Sequence, residues 1–392
     1  MNTDTHNHSV DLVIIGGGIA GLWTLAEARA SGINAILFEK ADLGCGQTIA
    51  SQGIIHGGSK YALAAKMTKA GNVIGEMPKR WKNAIGGKGN VLLNDIKTLA
   101  QHQYLVPTNH TDTKLLSFLG SKTMASRTKT ITHKHLPDAY KAIGLDNSIY
   151  QLNEIVLDIG TVLTSFLNQY QAFMYQVEIN AEDIGPREQN QYAIKTPAGI
   201  INTQHILLAA GEGYEHLNVQ APAMQKRPLQ MVMVKGDLPP IFAHFVGRSN
   251  KPILTVTSHA SNGKTVWYMG GNLAEEGVDK SASTLIDEAR HHLNQMMPSI
   301  DTEQLSFGTF HVNRAEPAMK GLVRPDDAFI QNNSNIIVGW PTKLALAPRF
   351  AEKVVNEVHA TSLQLIGTIE PVPVMLQSLP RPGIAKYPWH DL

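Results

Sequence analysis

Six residues near the start of the chain, Gly16-Gly17-Gly18-Ile19-Ala20-Gly21, constrain its fold more than any other feature. They fit G-x-G-x-x-G, in which the glycines permit a tight turn, a close approach of backbone to a pyrophosphate, and packing of a helix on a strand. The flanking residues complete the pattern. Leu12-Val13-Ile14-Ile15 is a continuous apolar run, the mark of a strand buried on both faces of a parallel sheet. Leu22, Leu25, Ala26 and Ala30 recur at helical spacing, and Ala35-Ile36-Leu37-Phe38-Glu39 reads as a second parallel strand. The unit runs from Asp11 to Glu39, close to the ~30 residues of a dinucleotide-binding βαβ. Glu39 closes it, where a carboxylate can accept both ribose hydroxyls of an adenosine. The helix N-terminus offers N–H groups and a positive dipole end to the pyrophosphate.

The rest of the chain alternates short apolar runs with helical stretches, which predicts an α/β fold. Further strands are expected at Ile155-Val156-Leu157, at Ile206 to Gly211 and at Asn335 to Gly339, with a last helix that Pro348 could start. Between about Asn90 and Leu152 the firm strand candidate is Tyr104-Leu105-Val106. From Arg227 to Val312, apolar runs separated by turn signals such as Ser261-Asn262-Gly263-Lys264 mark an antiparallel sheet. The expected organisation is a discontinuous Rossmann-type domain of residues 1–88, 153–225 and 313–392. A mainly antiparallel substrate domain would comprise 89–152 and 226–312. Prolines at 371, 373, 380, 382 and 388 make the end of the chain an extended strap or a disordered tail.

Composition narrows the function. With 392 residues, a formal net charge of +1 and no Lys/Arg block, the chain is not expected to bind nucleic acid. One cysteine, Cys45, excludes an intrachain disulfide and disulfide exchange, and suits a reducing compartment. The polar first ten residues lack a signal-peptide core, and no run approaches the ~20 apolar residues of a spanning helix. A cytoplasmic location is expected, with any membrane contact peripheral. His291-His292 lacks a third ligand at metal spacing, so no metal is expected.

Both FAD and NAD use the glycine fingerprint, and two observations favour FAD. No second G-x-G-x-x-G follows an apolar strand. A loop rich in Gly, Ser and Thr, Gln47 to Gly58, directly follows the second strand and can lie along the pyrophosphate and the flavin edge.

Here the sequence resembles the D-amino-acid oxidase-like FAD oxidoreductases, a group with glycerol-3-phosphate dehydrogenases, glycine and sarcosine oxidases, and L-2-hydroxyglutarate dehydrogenases. Ile54-Ile55-His56-Gly57-Gly58 looks like the Ile-His-Gly-Gly loop of the hydroxyl-oxidising members, and Leu207 to Gly211 like the family's Ala-Ala-Gly strand end. Asn313-Arg314-Ala315-Glu316, with Gly321-Leu322-Val323 and Asp326-Asp327, looks like the substrate-side arginine segment of the hydroxyglutarate branch. Where that branch carries a Pro-Ser-Pro-type segment, this chain reads Gly339-Trp340-Pro341-Thr342-Lys343-Leu344.

The resemblance implies FAD held by Gly16, Gly18, Ile19, Ala20, Gly21, Glu39 and Lys40, and by Gln47, Thr48, Ser51, Gln52, Gly53 and Ile55 of the loop. Val177, Ala210, Gly211, Gly339, Thr342, Lys343 and Leu344 complete the expected set. For chemistry it implies three residues. His56 would take a proton from substrate while hydride leaves for the flavin. Arg314 would grip a carboxylate or phosphate with two parallel hydrogen bonds, and Lys343 would stabilise the reduced cofactor. Each has a structural alternative: a hydrogen-bonding loop histidine, an Arg314–Glu316 ion pair, an exposed lysine. Lys60, Tyr61, His311 and Arg324 are secondary candidates for the anionic end of the substrate. The expected activity is oxidation of a small anionic substrate at CH–OH, with electrons passing to oxygen, a quinone or a carrier. Oxidation at CH–NH, or a flavin-bearing regulatory protein with little turnover, stay open.

Overall fold

A computed structural model of the chain describes residues 8–57, 69–108, 128–186, 191–217, 222–247, 251–319, 325, 327–361, 365–366 and 374–392. Lys60, Tyr61 and Arg324, with Gly58, residues 321–323 and Asp326, lie outside them.

The opening run forms β1 (His8–Ile15), buried from Val10 onward. Because alternate side chains point to opposite faces, it feeds two cores. Leu12 and Ile14 join one apolar cluster; Val13 and Ile15 join another. The helix α1 (Ile19–Ala30) lies on the first face, and β2 (Ala35–Glu39) pairs parallel with β1. On the other side β1 pairs parallel with β3 (Gly199–Leu208). The strand Met174–Gln176 extends the parallel set beyond β2. Trp23 of α1 meets Trp81 and Phe166 edge-on, at centroid distances of 4.6 and 5.9 Å. Those contacts tie two further helices, Lys69–Ile85 and Ile159–Tyr170, to the same face.

The second large sheet contains the strands expected after Arg227. One edge of it is a long antiparallel pair, β4 (Met224–Gly236) against β5 (Ser306–Pro317), in register from Met224↔Pro317 to Lys235↔Ser306. The strands Pro252–Ser261 and Lys264–Gly270 extend it through a hairpin whose two central residues, Asn262 (φ 51°) and Gly263 (φ 75°), are left-handed. That is the turn geometry that matches strand twist. Both β4 and β5 cross the expected limits at 226 and 312, and we propose the border at the ends of these strands instead.

Between 90 and 152 the chain holds more strand than expected: Thr98–Ala100, Thr128–Ile131 and Ile149–Leu152 besides Gln103–Pro107. Thr128–Ile131 is a half-exposed edge strand without an apolar run, so periodicity does not reveal it. A small third sheet joins Ile54–Ile55, Ile155–Leu157 and Thr98–Ala100, with Ile55 opposite Ile155. The first large sheet is completed by β6 (Ile336–Trp340), parallel to β3. The helix α2 (Ala347–Ala360) follows, with Pro348 in its first turn and Phe350, Val354, Val355 and Val358 buried. Among the described residues no helix is long and apolar enough to cross a membrane.

The proline-rich end, residues 374–392, is an ordered strap. Arg381 Nη1 donates to the carbonyls of Gln171, Ala172 and Met174. The Tyr387 hydroxyl donates to Asp158 Oδ1 and accepts from Gly160 N–H, both at 2.6 Å. Trp389 packs on buried His259 at 4.3 Å, and the strap thereby spans both sheets.

Burial pushes the His259 imidazole down to about 4, against an ordinary 6.5. Its folded-state pKa is depressed, so the unfolded chain binds its proton first. The stability it contributes is therefore complete above about pH 6.5 and is lost as pH falls toward 4, by about 3 kcal/mol. A His259→Gln variant keeps a partner for Thr257, which bonds the ring at 3.0 Å, without the titration. Its thermal midpoint should fall less than the wild type's between about pH 7 and pH 4.5. Equal falls in circular-dichroism melts would remove His259 as the cause.

Candidate active site

Two glycines set the geometry where β1 meets α1. Gly16 has φ 117°, and a β-carbon there would stand 2.5 Å from the Ala209 carbonyl oxygen. At Gly21 it would stand 2.0 Å from the Gly16 carbonyl oxygen, so the helix can pack this close only on glycine. The turn is then tied down: Gly17 N–H donates to Glu39 Oε2 at 2.5 Å, and Ile19 N–H donates to Thr48 Oγ1 at 3.0 Å. Ala41 N–H donates to Glu39 Oε1, and the carboxylate retains lone pairs for further donors.

A cavity of about 1010 Å³ opens along this turn. Glu39, Lys40, Gly16, Gly18, Ile19, Ala20, Gln47, Thr48, Ser51, Gln52, Gly53, His56 and Arg314 line it. Ala210, Gly211, Gly339, Thr342, Lys343 and Leu344 also contribute to its wall. Three expected cofactor residues do not line it. Gly21 is taken up by helix-on-strand packing. Ile55 is fully buried in the helix-side core, opposite Ile155. Val177 packs with Phe38 and Tyr175 in the other core and spends its N–H on the Glu39 carbonyl. His311 is exposed on β5, outside the cavity lining.

Thr342, buried at the cavity wall, has φ 61°. A β-branched residue in the left-handed region is strained, and such strain concentrates at working sites.

His56 faces the cavity beside a partner that local sequence does not announce. Because Ile55 pairs with Ile155 in antiparallel register, the residues just beyond them, His56 and Glu154, meet across the sheet end. His56 Nδ1 lies 3.1 Å from Glu154 Oε2, and the other carboxylate oxygen accepts Gly57 N–H at 3.2 Å. The Glu154 side chain is 1% exposed and that of His56 28%. Buried His244 stacks on His56 at 6.1 Å and bonds Thr255 Oγ1 at 2.9 Å. The three offer ligand-type atoms within 4.8 Å of one another, the one such group among the described residues, where none was expected.

Arg314 sits on β5, opposite Arg227 of β4. It does not pair with Glu316, which instead bonds Arg227 at 3.2 Å. Its partner is Glu275, whose Oε2 is also held by Lys251 at 2.6 Å. Burial, then the nearby Arg227, holds the Arg314 pKa below the usual guanidinium range. Burial pushes the Glu275 carboxyl up, but the Lys251 hydrogen bond and the charges of Arg314, Lys251 and Arg227 outweigh it and keep it below the usual range. Glu154, His244, Arg227, Lys251 and Glu275 were all missed by sequence reasoning, since nothing local marks any of them.

The family model for FAD dependent oxidoreductases (DAO) matches residues 11–340. The FAD-dependent oxidoreductase PA4991 of Pseudomonas aeruginosa is 40% identical over 390 residues, 97% of each chain. Its crystal structure superposes with a TM-score of 0.78, covering 98% of both chains. Glycine oxidase from Geobacillus kaustophilus shares the fold at TM-score 0.65 and 14% identity, covering 92% of this chain and 97% of its own. The aerobic glycerol-3-phosphate dehydrogenase of Escherichia coli is similar over 51 residues, 43% identical, covering 13% of this chain and 10% of its own. The chain belongs to the DAO family of FAD-dependent oxidoreductases. It is an enzyme of that class, and FAD is its cofactor.

The residues present fit the cofactor. Ser51 Oγ on the cavity wall is buried without a hydrogen-bond partner among the described residues, a group that a bound polar ligand would satisfy. Ser51→Ala should therefore raise the FAD dissociation constant about tenfold, the ~1.4 kcal/mol of one hydrogen bond. Fluorescence titration of apoprotein checks this, and unchanged affinity would place the hydroxyl outside the cofactor contacts.

Proposed function

We propose that the enzyme oxidises a small anionic substrate at a CH–OH group, a 2-hydroxy acid or a polyol phosphate. The carrying observation is the His56–Glu154 pair on the wall of the cavity that Arg314 also lines. The local likeness to aerobic glycerol-3-phosphate dehydrogenase supports a hydroxyl substrate.

Each residue then has a role. Arg314 presents a fork of N–H donors to the carboxylate or phosphate. Glu154 accepts the Nδ1 proton of His56, which fixes the tautomer and leaves Nε2 with a lone pair for the substrate hydroxyl proton. The imidazolium formed is stabilised by the same buried carboxylate. FAD, when bound, supplies the two-electron acceptor for the hydride leaving carbon. Lys343 is assigned to offset negative charge on the reduced cofactor. Glu39 would hold the adenosine ribose, the α1 N-terminus the pyrophosphate, and the Gln47–Gly53 loop the remainder. Electrons would then pass to oxygen, a quinone or a carrier protein.

A second reading, oxidation of an amino acid at CH–NH, draws on Glu275, a carboxylate beside Arg314 where a substrate ammonium could pair. Anaerobic bleaching of the flavin absorbance separates the two. Hydroxy acids or polyol phosphates should bleach the enzyme, and amino acids should not. His56→Ala should slow that reduction by about 10²–10⁴. Bleaching by amino acids alone would reverse the assignment, and a wild-type rate in His56→Ala would take His56 out of the mechanism.

A further inference from the structure

We propose that Glu275 is an internal counter-ion, seated in the anion subsite of Arg314 until substrate displaces it, and that it thereby sets the affinity of the site for anions. The inference rests on the reading of Arg314 as the group that grips the substrate's anionic end.

The contact has the form of a placeholder. Both Nη atoms of Arg314 reach one oxygen, Glu275 Oε1, at 3.4 Å each. A committed arginine–carboxylate pair is instead bidentate, at about 2.7–2.9 Å. Arg227 stands 3.9 Å from the same oxygen while making its closer contact with Glu316. The short bond of Glu275 goes to Lys251, on Oε2 at 2.6 Å. Three cations thus converge on one carboxylate whose firm attachment is on the far side from Arg314. An incoming carboxylate or phosphate could take the Arg314 fork while Glu275 stays paired to Lys251, so displacement leaves no orphaned charge.

The backbone holds this arrangement in place. Glu275 lies on the short helix Asn272–Glu276, entered through Gly271 at φ 90°. A β-carbon on Gly271 would come within 2.9–3.1 Å of Pro252 O, Ile253 O and Thr255 N. Gly270, Gly271, Asn272 and Glu275 all line the cavity. The carboxylate is therefore delivered to the site by a turn that tolerates only glycine. Because the pairing must be given up, every anion binds more weakly than Arg314 alone would allow.

The test uses the holoenzyme, with acetate and inorganic phosphate as probes and their binding read from perturbation of the flavin absorbance and by calorimetry. Glu275→Gln, which keeps the shape and removes the charge, should lower the dissociation constants of both probes about tenfold. Glu275→Asp should leave them within about twofold of wild type. In turnover the Gln variant's gain should appear in KM. Unchanged or weaker probe binding in Glu275→Gln would overturn the proposal and make Glu275 a support for the arginine. Arg314→Met should abolish probe binding in both backgrounds. If it does not, the reading of Arg314 fails, whatever Glu275 does.

Discussion

No side chain fits between the end of β1 and the carbonyl of Ala209, and the site is arranged around that missing carbon. With Gly16 in a conformation other residues avoid and Gly21 pressed on Gly16, α1 begins hard against the sheet and aims its N-terminus along the cavity. Glu39 then folds back on the turn through Gly17 N–H, which fixes an acid on the wall of the cavity that His56 and Arg314 also line.

Those residues come from distant parts of the chain. His56 and Glu154 are 98 positions apart, brought together by a three-stranded sheet in which Ile55 faces Ile155. Arg314 and Arg227 are opposed by the register of one long strand pair, and Glu275 reaches them from a helix between those strands in sequence. The strap of residues 374–392 ties both sheets together through Arg381, which donates to the Met174 carbonyl, and Trp389, which packs on buried His259. The loop that leads to His56 is held against the second sheet, which carries Arg314, by Gln52 Nε2, which donates to the carbonyls of Thr255 and Tyr268, and by the Tyr268 hydroxyl, which donates to that of Ala50.

What could be read from the amino-acid order follows from these distances. The β1–α1–β2 unit was legible because its signals are local: an apolar run, a glycine turn, a helical period and an acid at the end. The antiparallel sheet was legible from turn chemistry at positions such as Asn262-Gly263, and the last helix from Pro348. The edge strand Thr128–Ile131 was not, since it buries too little to carry a period. Ile55 was expected at the cofactor, yet it lies in a strand between the cavity-lining residues Ile54 and His56, and in a strand the next side chain points to the opposite face. Glu154, Glu275 and His244 were invisible for the converse reason. Each gains its meaning from a partner supplied by tertiary pairing, and local sequence carries no trace of that partner.

The central claim is that one cavity seats a whole dinucleotide, with its adenosine at Glu39. Competitive titration of apoprotein with FAD and FMN tests it most directly, because FMN lacks the adenosine half. One FAD per chain, bound at least about a hundredfold more tightly than FMN, the ~2.7 kcal/mol of two or more added hydrogen bonds, is the predicted result. Equal affinity for FMN, or no uptake of FAD, would contradict it.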